Sequence, residues 1–284
     1  MSANRNNDSR SAAVSSLELP LLPVFFGKIF KLLLDPDVSI ERIKRLFNSD
    51  ERFYSGVQRM AASGLFGPVV QGEPFSKTIL RLGLPTIRNI IEVMSVRHVF
   101  KRTGVMEELL WMQMVGSATA SRAVASKTRL VEPEDAFTTG LFHDLGKVVL
   151  LNNIPDAYER IFKDVSAGKG TFLSLETNRL GFSHRDLGSR MVKTWGYPDT
   201  LSDFILRYDS HEQTIQNRYS HNLVIVITAA DRICMKLGIG WKRPFDAMDF
   251  GNLTEALGLD DSSLAELIRK INDEFANAVD LYLY

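Results

Sequence analysis

Apolar residues recur at helical i, i+3, i+4 spacing along nearly the whole chain, and this pattern predicts an all-α fold. Long strand-like alternation is scarce, and no segment repeats at a fixed period. Pro23 opens a first helix with Val24, Phe25, Ile29, Phe30, Leu32 and Leu33 on its apolar face, and Asp35-Pro36 closes it. Ser39 starts a second helix, and a third covers roughly 53–62. Glycines and prolines mark a loop over 64–74. A short helix over 76–82 stops at Gly83, and Pro85 opens the next. The run 107–126 reads as one long helix, and Glu132-Pro133-Glu134 starts another. Further helices fall near 156–165, 171–180 and 201–208.

Ser183 and Asp186 have the spacing of a capping box, with Gly196 and Pro198 stopping the helix they open. The segment 222–237 is apolar on nearly every face and predicts a central buried helix. Ser263 and Glu266 suggest a cap for a last, amphipathic helix through Leu264, Ile271, Phe275 and Val279.

Composition excludes several functions. Of 284 residues, 45% are hydrophobic and 24% charged, enough to bury a sizeable core. Lys plus Arg and Asp plus Glu number 34 each, so no net field favours nucleic acid. Residues 1–16 are polar and lack an apolar run, which predicts a disordered leader and no secretory signal. The apolar stretch 17–34 is broken by Pro20, Pro23, Lys28 and Lys31, too often for a membrane span. The single cysteine, Cys234, lies in an apolar helix and is expected to be a small core residue.

Three residues draw attention as chemistry. His143 and Asp144 are adjacent within an apolar run, and Asp231 lies midway along the buried 222–237 helix. A carboxylate in such a helix needs a partner, because burying it alone is very costly; a cation, an Arg or a hydrogen-bonded His would serve. Imidazole and carboxylate together suit a divalent ion. An isolated His-Asp pair, however, is more often a cap or a core hydrogen bond. His184 sits at a predicted helix start and His211 after a helix end, while His98 and His221 read as structural or exposed.

In this order the residues resemble the HDOD family, within the wider HD phosphohydrolase superfamily. The similar elements are Leu19-Pro20-Leu21-Leu22-Pro23, Asp35-Pro36-Asp37-Val38-Ser39, Leu80-Arg81-Leu82-Gly83, Trp111 and Gly140-Leu141-Phe142-His143-Asp144-Leu145-Gly146. Glu176, Gly181-Phe182-Ser183-His184, Gly188 and Trp195-Gly196-Tyr197-Pro198 continue the series, which covers about 17–211. Met60-Ala61-Ala62-Ser63 departs from the family's Asn-Ser pair. Gly196-Tyr197-Pro198 is not preceded by the His-His-Glu of HD-GYP phosphodiesterases and reads as the HDOD Trp-x-x-Pro element.

The resemblance implies an HD-domain-like helical core over 106–237, an N-terminal helical lobe over 17–105 and a helical extension over 238–284. It implies a divalent metal (Mn, Mg, Fe, Ni or Zn), where one binds, held by His143, Asp144, Asp231 and His184. Lys147 would face phosphate, and Gln113, Asp209 and His211 would stand nearby. Gln113 occupies the position of the superfamily's early histidine, and an amide is the poorer ligand, so the site reads as reduced. Two functions follow: a cytoplasmic signalling or regulatory module acting on signalling proteins or a nucleotide-type ligand, or a metal-dependent phosphohydrolase of a nucleotide or cyclic dinucleotide. A purely structural helical adaptor is the third. The sequence leaves the oligomeric state open.

Overall fold

The computed structural model describes residues 17–33, 35, 37–63, 66, 70, 72–208, 218–241 and 250–282, and among them it contains helices and no strand. Helices α1 (Val24–Leu33), α2 (Ile40–Phe47), α3 (Glu51–Ala61) and α4 (Phe75–Val99) come first along the chain. They are followed by α5 (Val105–Thr128), α6 (Pro133–Phe142), α7 (Leu145–Asn153), α8 (Pro155–Ser166), α9 (Phe172–Leu180), α10 (His184–Thr194), α11 (Asp199–Arg207) and α12 (Arg218–Leu237). Then come α13 (Phe250–Leu257) and α14 (Asp261–Tyr282).

Local chemistry sets the boundaries. Ser39 Oγ accepts from Arg42 N–H to start α2, and Asp50 does the same for Phe53 at α3. The Ser183–Asp186 capping box is formed. At Gly83 the backbone leaves the helical region (φ 77°, ψ 161°), so α4 is two helical pieces joined across a kink, as Gly83 and Pro85 predict. Two expectations need correction. The last helix is capped by Asp260, whose carboxylate accepts from Ser263 N–H (2.7 Å), so it starts earlier than a Ser263 cap would place it. Glu266 instead reaches Lys127 (3.2 Å). The 222–237 segment is buried along one face only: Leu223, Val226, Ile227, Ala230, Ile233 and Cys234 face the core, while Arg232 and Asp231 are half-buried.

Helix α5 is the spine. Helices α6, α12 and α14 all pack along it, and α10 packs on both α7 and α11. The close packing of α5 on α6 requires Gly140, where a Cβ would lie 2.9 Å from the Ser117 carbonyl oxygen. Cys234 is fully buried in this core, as expected, and burial raises its thiol pKa. No helix among the described residues is long and apolar enough to cross a membrane.

A buried carboxylate fastens α4 to α6 and to Tyr197. Glu92 of α4 has no exposed surface and accepts from Thr138 Oγ (2.7 Å), Tyr197 OH (3.0 Å) and Asn89 Nδ2 (3.0 Å). Arg88 Nε lies 3.6 Å from Glu92 Oε1, the oxygen that also accepts from Tyr197. Burial pushes the Glu92 pKa up from its ordinary 4.5, against the Arg88 charge and these hydrogen bonds. A raised carboxyl pKa means that the folded state holds its proton more tightly than the unfolded one. The resulting stability is full below the unfolded value and is lost as pH rises through the folded value. Urea unfolding of wild type and Glu92→Gln between about pH 4 and pH 8 should therefore show wild type losing ground to the variant as pH rises above 4.5. A pH-independent difference would contradict this.

Candidate functional site

His143, Asp144, His184 and Asp231 converge at one end of α7. Helix α6 stops at Phe142, and Asp144 (φ −101°, ψ 5°) is the residue from which α7 departs. Asp144 is thus at a helix junction. The break turns His143 and Asp144 into the same space. Helix α12 brings Asp231, α10 brings His184, and α5 brings Gln113 and Ser117.

His143 Nε2 lies 3.3 Å from Asp231 Oδ2 and 3.6 Å from Asp144 Oδ2. Its Nδ1 is 2.7 Å from the Gly140 carbonyl, which requires the proton on Nδ1 and aims Nε2 at the two acids. His184 repeats the arrangement. Its backbone N–H (2.8 Å) and Nδ1 (2.6 Å) both meet Glu176 Oε2, and its Nε2 lies 3.6 Å from Asp144 Oδ1. Glu176 has no exposed surface and also accepts from Tyr158 OH (2.7 Å). A carboxylate that fixes the tautomer and orientation of an inward-facing imidazole is the support usually given to a metal-ligating histidine.

The acids already have other partners. Lys147 is 1% exposed, and its Nζ donates to Asp144 Oδ2 at 2.8 Å. The ammonium also lies 4.1 Å and 4.3 Å from the ring centroids of Phe172 and Trp241. Asp231 accepts from Ser117 Oγ (2.8 Å), Tyr208 OH (3.1 Å) and, at 3.5 Å, Gln113 Nε2. Burial disfavours charge on His143, Asp144 and Asp231, yet the mutual attraction wins. The carboxylates of Asp231 and Asp144 outweigh burial and raise the His143 pKa to about 9. Lys147, with both imidazoles, holds Asp144 below the usual carboxylate range despite burial, and His143 does the same for Asp231.

These groups line a cavity of about 230 Å³ that Arg185, Arg232 and Thr171 also border. In kind the donors fit a divalent ion: two oriented imidazoles and two carboxylates face one space. As arranged, no three His, Cys, Asp or Glu side chains among the described residues stand in metal-holding geometry. Lys147, which the resemblance would turn toward phosphate, has its ammonium on Asp144. Asp209 and His211 lie outside the described residues. His98 and His221 are exposed, as expected.

Sequence reasoning missed Ser117, Tyr208 and the Tyr158–Glu176 support. Serine and tyrosine carry no spacing signal. Glu176 stands eight residues before His184, and only the turn between α9 and α10 brings the two together.

The chain is thus all-helical among the described residues, with a His-Asp junction met by a distant aspartate on a packed helix. The HDOD domain model matches residues 19–211, and this chain belongs to the HDOD family. A crystal structure of an HDOD domain protein of unknown function from Geobacter sulfurreducens superposes with a TM-score of 0.77 at 22% identity, covering 98% of this chain and 99% of that one. A candidate phosphohydrolase from Shewanella amazonensis SB2B gives 0.76 at 21% identity, covering 97% and 98%. A candidate signal transduction protein from Marinobacter aquaeolei VT8 gives 0.73 at 17%, covering 98% of this chain and 65% of that one. At these identities the likeness is one of fold. An uncharacterized protein of Treponema pallidum (strain Nichols) is 22% identical over 209 residues, which are 72% of this chain and 38% of that protein. The chain thus spans well under half the length of that curated relative.

Proposed function

We propose that this chain is a signalling or regulatory HDOD protein with little or no hydrolytic activity, and that its HD site is a closed ion-pair cluster. The observation that carries this reading is Lys147. Its buried ammonium is bonded to Asp144, one of the two acids a catalytic ion would need, while Asp231 is engaged by Ser117, Tyr208 and His143. A buried acid with a good internal counter-charge gains less from an external one, because the desolvation it would repay is already offset. Gln113 adds to this by offering an amide to Asp231 where an imidazole would suit a metal better. The partner such a module acts on is a separate signalling protein or a nucleotide-type ligand.

A second reading, a metal-dependent phosphohydrolase of a nucleotide or cyclic dinucleotide, is favoured by the two tautomer-fixed imidazoles. His143, Asp144, His184 and Asp231 would then hold the ion, which supplies Lewis-acid polarisation of a phosphoryl oxygen and acidifies water. For that set to open, Lys147 must leave Asp144 and His143 must give up its shared proton. Arg185 and Arg232 would face the phosphate from the cavity wall.

Hydrolysis of cyclic and linear nucleotides, with manganese or magnesium added, separates the two readings. Wild type and Asp144→Ala should both run at the protein-free rate. Rapid metal-dependent hydrolysis that Asp144→Ala abolishes would overturn the regulatory reading and establish the enzyme.

A further inference from the structure

A second cavity, of about 290 Å³, lies between α1, α3, α4 and α5, away from the His-Asp cluster. Its walls are apolar, with Phe26 of α1, Met94 of α4 and Trp111 of α5, and its charged groups are all basic: Arg59 of α3 with Arg97 and His98 of α4. Neither guanidinium has an ion pair or side-chain hydrogen bond to a described residue. Arg97 instead lies over aromatic faces, 5.4 Å from the Trp111 ring centroid and 6.0 Å from that of Phe100. Of the acids at the start of α5, Glu107 has its Oε2 beside Gly104.

Trp111 supplies the independent sign of a ligand. It is 3% exposed, and its indole N–H is buried without an acceptor among the described residues. A buried donor left unpaired costs free energy, and a native structure tolerates few of them, so each calls for an explanation. Here Trp111, two cations without acids and an apolar wall border one space, and the buried indole N–H still lacks an acceptor among the described residues. That set is complementary to an acceptor-rich negative group carried on a flat apolar body. The volume lies near the lower end of small-molecule pockets, about 300–1,000 Å³.

The larger cavity, about 310 Å³, offers no such set. Its Arg88, Asp135, Tyr197 and Tyr219 are bonded to one another or to Glu92.

We infer that the cavity between α1, α3, α4 and α5 is a binding site for a small organic anion, its charged group met by Arg59 and Arg97 and its apolar body laid against Trp111 and Phe26. Gly56 helps keep the space open: a Cβ there would come within 2.5 Å of Met94 Cε and push that side chain across the cavity. Trp111 stands two positions before Gln113 on α5, so an occupant would rest on the helix that also borders the His-Asp cluster. The inference stands whether or not that cluster is catalytic.

Naphthalene-2-carboxylate, its uncharged carboxamide and nitrogen-15 amide spectra of the full chain provide the test. The three tryptophans give three indole resonances, with Trp111 assigned from Trp111→Phe. The carboxylate should shift the Trp111 resonance saturably and leave those of Trp195 and Trp241 in place. The carboxamide should bind at least about ten-fold more weakly, and Arg97→Met should weaken the carboxylate by a similar factor. Arg59→Met, at an exposed position, should weaken it too, and it keeps the test valid if Arg97→Met does not fold. No saturable shift, equal affinity for acid and amide, or movement of all three indoles together would overturn the proposal.

Discussion

Lys147→Met should destabilise the protein by about 3–5 kcal/mol, the usual cost of removing one partner from a buried ion pair. The size follows from what is left behind. Methionine matches the stem of lysine and keeps the contacts with Phe172 and Trp241, so little volume is lost. Asp144, 4% exposed, keeps only two imidazole nitrogens, each at 3.6 Å. It must stay charged with weakened support or take up a proton, and either raises the free energy of the fold. The double variant Lys147→Met/Asp144→Asn should recover a large part of the loss, since it removes the unpaired charge. Equilibrium unfolding in urea measures both. A Lys147→Met variant as stable as wild type would mean that the ammonium is not what stabilises Asp144.

Gly146→Ala should be at least as damaging, and for a different reason. Gly146 lies in the first turn of α7, where α10 crosses it. A Cβ there would fall 1.7 Å from the His184 carbonyl oxygen and 2.8 Å from the Gly188 nitrogen. Both neighbours are backbone, so no flexible side chain can make way, and the helices must separate. Ordinary core overpacking costs about 1–3 kcal/mol; here we expect at least about 3 kcal/mol. The separation also draws His184 away from Asp144, so the damage reaches the site. Gly27, in α1, has nothing within 4 Å of where its Cβ would be, and Gly27→Ala should be neutral or stabilising by up to about 1 kcal/mol. Thermal or urea unfolding of the two variants separates steric exclusion from a general effect of alanine.

The parts of the fold visible in the sequence are those with local causes. The Ser39 cap, the Ser183–Asp186 box and the Gly83 kink depend on a few adjacent residues and stand where those residues put them. Helix α7 was not legible. Its short run of Val148, Val149, Leu150 and Leu151 is buried on all sides, so no polar face announces a helical period. Missing α7 hid the role of Lys147, because Asp144 and Lys147 become neighbours only when a helix starts between them. The last helix went astray for a related reason: Asp260 and Ser263 can each cap, and only the observed Ser263 N–H bond to Asp260 decides.

The site was legible as an inventory more than as a state. His143, Asp144, His184 and Asp231 do meet, because residue type and order carry that information. Which charges cancel depends on distances of a few tenths of an ångström, set by the crossing of α5, α7, α10 and α12. Ser117 is a common residue in a helix of small side chains, and only the α5–α12 packing makes it the closest donor to Asp231.

On the regulatory reading, Lys147 takes the place a divalent cation would otherwise fill beside Asp144. Calorimetric titration of manganese into wild type and Lys147→Met tests it most directly, with Asp144→Ala as the control. Wild type should bind no tighter than about millimolar, Lys147→Met at least ten-fold more tightly, and Asp144→Ala not at all, where ten-fold corresponds to about 1.4 kcal/mol. Micromolar binding by wild type, with no gain in Lys147→Met, would contradict it.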